Sequence, residues 1–262
     1  MNTPKHLITT TDLSIGYSSK KQQHCIAENL NLKLTEGQLV ALVGANGIGK
    51  STLLRTLTGI QKPLQGAVYM NQKNILDLDS LEWAQQMSLV LTEKLPPSNL
   101  TVYELIALGR QPYTNWMGKL APKDIEAIDQ AIALTQIEHL VGKKHYEISD
   151  GQLQIVLIAR ALAQDTPLII LDEPTTHLDL LHKVSVFKLL KTLSKETNKC
   201  ILFSTHDIDL AIQLSDEMIV MTEGQVVQDQ PCTLISQGVF ATLFQDSAIT
   251  FDSEKGKFVI SN

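Results

Sequence analysis

The chain has 262 residues, of which 44% are hydrophobic, and its formal net charge is −6. This composition is that of an ordinary globular protein, and the acidic balance without any basic run argues against a nucleic-acid surface. Three scattered cysteines (Cys25, Cys200 and Cys232) indicate neither a zinc site nor a disulfide framework, and they suit a reducing cytoplasm.

The N-terminal region lacks the apolar stretch of a secretory signal. Its first residues alternate hydrophobic and polar at Leu7–Thr10 and again at Leu30–Leu34, which favours half-exposed strands of an antiparallel sheet. The longest apolar runs are far shorter than the roughly 20 residues that cross a bilayer. We therefore expect any membrane association to be peripheral.

Three short apolar runs, Leu39–Val43, Leu168–Leu171 and Ile201–Phe203, are typical of strands buried on both faces of a parallel sheet. A helical stretch lies between the first two, from about Thr92 to Gln164. A first helix is predicted to begin at a capping box formed by Thr101 and Glu104 and to stop at Gly109. A second helix is predicted after Pro122, with Ile125, Ile128 and Ile132 on one face. In the tail, turns are predicted at Glu223-Gly224 and Lys255-Gly256.

A glycine-rich loop follows the first buried run: Gly44-Ala45-Asn46-Gly47-Ile48-Gly49-Lys50-Ser51. It fits the phosphate-binding pattern G-x-x-x-x-G-K-S/T, and a helical run from Ser51 to Leu57 comes next. The glycines let consecutive backbone N–H groups face phosphate oxygens, and the helix adds the positive end of its dipole. We expect Lys50 to neutralise phosphate charge, Ser51 to ligate Mg²⁺, and the loop with Thr52 to bind the nucleotide.

Two adjacent carboxylates, Asp172 and Glu173, end the second buried run at the sheet edge where ligands of open α/β sheets bind. Successive strand residues face opposite ways, so the two acids are expected to have different roles. We expect Asp172 to hold Mg²⁺ and Glu173 to act as the general base on water. His206 ends the third run at the same edge, where a donor can stabilise charge that develops on the γ-phosphate.

A further capping box, Ser149 with Gln152, opens an apolar helix that runs to Ala163. This pattern alone favours a well-capped buried helix. Gly151, however, leaves the helix start open for the close approach that an anion site needs.

Together these motifs resemble the ATP-binding subunits of ABC transporters, over nearly the whole chain. They occur in the family's order: the phosphate-binding loop, Ile148-Ser-Asp-Gly-Gln152 in the place of the LSGGQ signature, Asp172-Glu173-Pro174-Thr-Thr-His-Leu178-Asp179, and His206. The resemblance implies an α/β fold with a P-loop (RecA-like) core, an N-terminal antiparallel β-subdomain and an inserted α-helical subdomain. It implies one domain over residues 1–262, with the core at about 1–91 and 165–262 and the helical part at about 92–164.

The resemblance also implies how the protein works. Two subunits, here expected to be identical, pair head to tail, so that Ser149, Gly151 and Gln152 of one contact the γ-phosphate held by the other. Asp179 matches the loop that communicates across the dimer, His206 matches the switch histidine, and Tyr17 matches the aromatic side chain that stacks on adenine. The other expected partners are permease subunits at the cytoplasmic face of the cell membrane and, indirectly, an extracytoplasmic solute-binding protein.

Two positions depart from the family pattern. Asp150 stands where the signature has glycine, and Glu93 stands where a metal-contacting glutamine is usual, although a glutamate oxygen can also ligate Mg²⁺. A non-catalytic regulatory cassette, in which these two residues weaken turnover, therefore remains an alternative. A soluble ABC ATPase of similar size, of the kind that assembles clusters, is a second and separate alternative.

Two segments narrow the resemblance to one group of importers within the family. Ala107–Tyr113 and Asp165–Leu168 resemble the importers of iron–siderophore chelates, haem and cobalamin. Tyr113, Trp116 and Met117 form a cluster of large apolar side chains that suits either core packing or a docking surface for the permease.

Overall fold

The computed structural model describes residues 5–18, 22–91, 96, 98–243 and 249–260. In chain order, the strands of these residues are β1 (His6–Ser18), β2 (Gln23–Leu30), β3 (Lys33–Thr35), β4 (Leu39–Gly44), β5 (Gln65–Met70), β6 (Lys73–Asn74), β7 (Met87–Val90), β8 (Leu168–Leu171), β9 (Cys200–Ser204), β10 (Glu217–Thr222), β11 (Gln225–Asp229), β12 (Ile249–Asp252) and β13 (Lys257–Ile260). The α-helices are α1 (Lys50–Leu57), α2 (Ser80–Ala84), α3 (Val102–Ala107), α4 (Pro122–Thr135), α5 (Asp150–Ala163), α6 (Leu180–Glu196), α7 (Ile208–Leu214) and α8 (Pro231–Ser236).

A six-stranded sheet in the order β11-β10-β4-β9-β8-β7 forms the centre of the fold. All neighbours from β10 to β7 run parallel, and only β11 is antiparallel to its neighbour. The three strands predicted from apolar runs are β4, β8 and β9, and every residue of them is buried. That part of the prediction is confirmed.

The parallel sheet separates two hydrophobic cores, because alternate residues of each strand face opposite sides. In β4, Leu39, Ala41 and Val43 pack in one core with residues of α3 to α6. Val40 and Leu42 pack in the other core with residues of β1, α1 and β5. Covering both faces in this way leaves the carboxyl ends of the strands as the edge at which polar residues are exposed.

The second sheet is antiparallel, in the order β2-β1-β5-β6, and β3 also pairs with β1. The single strand expected over Leu30–Leu34 is wrong, since β2 ends at Leu30 and β3 begins at Lys33. The hydroxyl of Thr10 donates to the Leu30 carbonyl (2.7 Å) and accepts from the Leu32 N–H (2.8 Å). A side chain thus replaces the backbone partner at this point and interrupts the ladder.

Helix α3 begins as predicted, with Thr101 and Glu104 forming a capping box. The α-helix ends at Ala107, within two residues of the predicted stop at Gly109, but the chain continues as a 3₁₀ helix over Leu108–Tyr113, so the glycine does not end the helical run. The glycine has a different role there: a Cβ at position 109 would lie 2.3 Å from the carbonyl oxygen of Arg160. Gly109 therefore lets this segment pack directly against the backbone of α5.

On α4, Ile128 and Ile132 are buried as the spacing predicts, whereas Ile125 is 43% exposed. The predicted turns at Glu223-Gly224 and Lys255-Gly256 lie in the hairpins β10–β11 and β12–β13. In the described part of the chain, no helix combines the length and the apolar composition of a membrane span. The division into core and helical subdomain at about residues 92 and 164 stays a prediction.

Candidate active site

The loop Gly44–Ser51 connects β4 to α1 at the carboxyl edge of the parallel sheet. Two of its glycines are required by the backbone: Gly49 has a φ of +115°, and a Cβ at Gly44 would lie 2.6 Å from the Met221 carbonyl oxygen. The ammonium group of Lys50 turns back and donates to the carbonyl oxygens of Gly44 (2.9 Å) and Ala45 (3.1 Å). The lysine thus holds the loop in its curled form.

The electrostatics of Lys50 link the loop to the two acids. Its side chain is buried, and this desolvation lowers the pKa of the ammonium group, while the nearby carboxylates of Glu173 and Asp172 act in the opposite direction. An ion with two anionic neighbours is less costly to bury than an isolated one. The ammonium group of Lys50 and the carboxylates of Asp172 and Glu173 therefore form a cluster of charged groups at the edge of the sheet.

Asp172 and Glu173 follow directly after β8, and both lie beyond the last strand residue. The two carboxylates therefore cannot be separated by the alternation of strand residues, and the reason given for their different roles is wrong. Glu173 has a φ of +48°, in the left-handed region. The chain therefore turns at Glu173 instead of continuing the pleat of the strand.

His206 contacts Glu173 where the chain leaves the neighbouring strands β9 and β8, a contact that the sequence did not predict. The imidazole Nε2 lies 2.5 Å from Oε1 of Glu173, and Thr176 donates to the other carboxylate oxygen at 3.1 Å. The histidine side chain remains 42% exposed and that of Glu173 26%. Both are therefore accessible to a molecule at this edge.

A cavity of about 650 Å³ lies beside the loop and is lined by both Ser51 and Asp172. It extends along α1 to Leu89 of β7 and to Leu91 just after that strand. Glu93, expected to contact the metal, lies outside the described residues. The serine and the aspartate thus face the same space, as a shared metal site requires.

Tyr17 lies near the end of β1 and is 51% exposed. Its hydroxyl is 2.9 Å from Oγ1 of Thr52, a buried residue of α1. The ring therefore stands beside the start of the helix that follows the glycine-rich loop. Within that loop Asn46 and Gly47 are exposed, and Ala45 and Ile48 are partly so.

The Ser149–Gln152 segment caps α5 as predicted. The Gln152 N–H donates to Oγ of Ser149 (3.3 Å), and the Ser149 N–H donates to Oε1 of Gln152 (3.0 Å). A Cβ at Gly151 would lie 3.1 Å from Cδ2 of His182, so the imidazole covers the start of the helix. Among the described residues, no hydrogen bond or ion pair joins this segment to the Gly44–Ser51 loop.

His182 also contacts Asp179, which caps α6. Oδ1 of Asp179 accepts from the backbone N–H of His182 at 2.9 Å and lies 2.8 Å from Nδ1 of its ring. These hydrogen bonds, the backbone one first, lower the pKa of the Asp179 carboxyl. Sequence reasoning did not identify His182, although a histidine three residues after a capping aspartate is a local signal for this contact.

Ser204 was also missed. It is the last residue of β9, its side chain is buried, and it hydrogen-bonds to both acids. The available signal was a polar residue in an otherwise apolar buried strand. Asp207, which accepts from Thr175 (3.1 Å) and from Lys183 (2.8 Å), similarly ties the segment after β9 to the one after β8.

Comparison with known proteins agrees with this geometry. The sequence profile of the ABC transporter family matches residues 27–176. The achromobactin transport ATP-binding protein of Dickeya dadantii is 36% identical over 238 residues, covering 90% of this chain and 87% of that protein. The iron(3+)-hydroxamate import ATP-binding protein of Bacillus subtilis is 36% identical over 252 residues, with coverages of 95% and 92%.

Solved structures give the same family. The dimeric structure of the bacterial ABC transporter cassette MJ0796 superimposes with a TM-score of 0.72 at 28% identity, covering 86% of this chain and 99% of that one. The same cassette is also known in a post-hydrolysis state bound to ADP and Pi. The fold class and the family expected from the motifs are confirmed. The chain therefore belongs to the ABC transporter family as an ATP-binding subunit, and it is an ATPase.

Proposed function

We propose that this subunit hydrolyses MgATP at the edge formed by the Gly44–Ser51 loop, Asp172, Glu173 and His206, and that it thereby powers uptake of an iron–siderophore type of chelate. The observation that carries the proposal is the convergence of one lysine, two carboxylates and one imidazole at the carboxyl ends of adjacent parallel strands. Ligands of open α/β sheets bind at this kind of edge.

In the proposed complex, the backbone N–H groups from Gly44 to Ser51 surround the phosphates, and Thr52 continues the helix start that faces them. Lys50 exchanges its carbonyl partners for β- and γ-phosphate oxygens. Tyr17 stacks on the adenine, and its hydroxyl bond to Thr52 orients the ring.

Mg²⁺ fits the residues present. The hydroxyl of Ser51 and the carboxylate of Asp172 line one cavity, and oxygen ligands of this kind, completed by phosphates and water, are those Mg²⁺ prefers. The ion neutralises charge on the β- and γ-phosphates. Glu93 is proposed as a further ligand on sequence grounds alone.

For the chemical step, Glu173 accepts the proton of the attacking water and His206 stabilises the charge that develops on the γ-phosphate. The contact between Nε2 of His206 and Oε1 of Glu173 supports a paired role, because it places both side chains at the same point of the sheet edge. Hydrolytic phosphoryl transfer depends mainly on such positioning and electrostatics.

We further propose a head-to-tail dimer of two identical copies. Ser149, Gly151 and Gln152 of one copy contact the γ-phosphate bound by the other. Asp179 belongs to the loop that communicates across the dimer interface. The dimeric structure of a related cassette supports this arrangement, as does the exposure of Ser149 and Asp150 at the start of α5.

The relatives that transport achromobactin and import iron(3+)-hydroxamate support a metal-chelate solute. Haem and cobalamin are the alternatives within the same group of importers. We propose that the subunit docks on permease subunits at the cytoplasmic face of the membrane, and that an extracytoplasmic binding protein delivers the solute.

The biochemical part is tested with the purified chain. Wild-type protein should release phosphate from ATP only with Mg²⁺, and Lys50→Ala should lose both binding and turnover. Equal turnover by wild type and Lys50→Ala would contradict the assignment of the site, and no turnover by the wild type would favour the regulatory cassette.

The transport part is tested in cells that lack the gene. Uptake of a ⁵⁵Fe-labelled hydroxamate chelate should fall and should return with the wild-type gene but not with Lys50→Ala. Normal iron uptake together with lost haem or cobalamin uptake would reassign the solute. Unchanged uptake of all three, with no membrane subunit co-purifying, would favour the soluble ATPase.

A further inference from the structure

Ser204 connects the two acids of the site through a single hydroxyl. Its Oγ donates to Oδ1 of Asp172 at 2.6 Å and accepts from the backbone N–H of Glu173 at 2.8 Å. The side chain has no solvent exposure. One bond thus reaches the carboxylate of Asp172, and the other reaches the backbone amide of Glu173.

The register of the sheet explains why this residue reaches both. Leu171 of β8 lies opposite Phe203 of β9 in a parallel pair. The residues that follow them, Asp172 and Ser204, are therefore side by side at the ends of the two adjacent strands. A hydroxyl has one donor and two acceptor positions, and it can serve a carboxylate and an amide at once. An aliphatic residue, which is usual in a strand buried on both faces, could serve neither.

The bond to the Glu173 amide has a second consequence. The φ of +48° at Glu173 is unfavourable for a residue with a Cβ, and such a conformation persists only where its surroundings hold it. The Ser204 hydroxyl holds the amide of this residue, and the carboxylate of the same residue contacts His206. Ser204 thereby determines the direction in which the Glu173 side chain leaves the backbone.

We propose that Ser204 is a positioning residue for ATP hydrolysis: it orients the Asp172 carboxylate toward the divalent ion and fixes the backbone from which Glu173 reaches water. It acts through the two acids and does not itself contact the nucleotide. This inference rests on the proposed function, since it assigns a task to the same site.

The test compares three variants. Ser204→Ala deletes the hydroxyl, and Ser204→Thr keeps it on a side chain that suits a strand. Ser194→Ala is the matched control, because its hydroxyl is equally buried but donates to the Lys191 carbonyl within α6. Turnover, Mn²⁺ affinity in the presence of a non-hydrolysable ATP analogue, and affinity for ATP in EDTA are measured for each.

Ser204→Ala should lower both turnover and Mn²⁺ affinity by about 10–100-fold, the range for loss of a residue that orients a metal ligand. ATP binding in EDTA should stay within about twofold of wild type, because the loop around Lys50 is untouched. Ser204→Thr should recover most of the Mn²⁺ affinity, and Ser194→Ala should match wild type.

Three outcomes would overturn the inference: unchanged Mn²⁺ affinity in Ser204→Ala, an equal loss in Ser194→Ala, or an equal loss of ATP binding in EDTA, which would indicate general loss of structure. If Ser204→Thr does not fold, the first comparison still decides. A wild-type chain that neither binds Mn²⁺ with the analogue nor hydrolyses ATP would instead refute the proposed function itself.

Discussion

Nε2 of His206 lies 2.5 Å from Oε1 of Glu173, so that the ends of two adjacent strands share one hydrogen bond at the candidate site. Because an ionised carboxylate only accepts, the imidazole is the donor. This donation leaves the remaining lone pairs of the carboxylate as the acceptors available to water.

Glu173→Gln should retain ATP binding and lose hydrolysis, because the amide keeps the shape of the side chain without its basic oxygen. The expected fall in turnover is roughly 10²–10⁴-fold, the usual contribution of a general base. Phosphate release and ATP affinity are the measurements, and a nucleotide-trapped dimer should accumulate. Turnover within about threefold of wild type would remove Glu173 from this role.

Asp150→Gly should affect stability and dimerisation in opposite directions. Asp150 is the first residue of α5 and is exposed, so its carboxylate stabilises the helix start by about 0.3–1 kcal/mol. In the proposed dimer the same charge faces the partner's γ-phosphate and repels it. The variant should therefore melt slightly lower without nucleotide and dimerise more strongly with ATP on a Glu173→Gln background.

Asp150→Asn is the matched variant, since it removes the charge without the backbone freedom of glycine. Both variants should strengthen dimerisation most clearly at low salt, where screening is weakest. If neither does so, Asp150 points away from the phosphate or is neutralised by a neighbour.

Trp116→Ala should weaken assembly with the permease and leave folding intact. Trp116 is 93% exposed and Met117 65%, so core packing, one of the two interpretations of this cluster, is wrong for both. Tyr113 is less exposed, at 38%, and its ring centroid lies 3.9 Å from the guanidinium carbon of buried Arg110. Co-purification with the membrane subunit, basal ATPase activity and melting temperature are compared.

Ile125→Ala removes an exposed apolar side chain from α4 and is the control. It should leave assembly unchanged. Assembly lost equally in both variants, or a large fall in the melting temperature of Trp116→Ala, would argue against a docking role.

Asp124→Asn should destabilise the protein by about 3–5 kcal/mol, the range for breaking a buried ion pair. Asp124 lies 2.9 Å from Nε of Arg110, and the two side chains are 5% and 8% exposed. The backbone N–H of Ala121, followed by Arg110, lowers the pKa of the Asp124 carboxyl. Glu126→Gln, an exposed change on the same helix, should have little effect.

The pH dependence of this pair follows from the lowered pKa. A carboxyl whose pKa falls on folding stabilises the protein above its ordinary value of about 3.9, and this stabilisation is lost as the pH falls through the lower folded value. The difference in unfolding free energy between wild type and Asp124→Asn should be constant from about pH 5 to 7 and shrink below about pH 4. A difference that stays constant into acid would contradict the pairing.

Local patterns were enough to predict the parts of the fold that short segments determine. The buried strands and the capping boxes at Thr101 and Ser149 depend on residues within a few positions of each other. The roles of Ser204 and Gly109 depend instead on strand register and on the approach of a distant carbonyl. The break between Leu30 and Lys33 likewise depends on Thr10, a residue of another strand.

The position of His182 has a mechanical consequence. Its ring lies against Gly151 at the start of α5 and bonds to Asp179 at the start of α6, so that two loops distant in sequence rest on the same imidazole. A bulkier residue at position 151 would push this ring outward and strain the aspartate cap. A displacement of the start of α5 would therefore shift the His182 ring and, through it, the start of α6. The contacts of this ring with Gly151 and Asp179 are thus mechanically coupled.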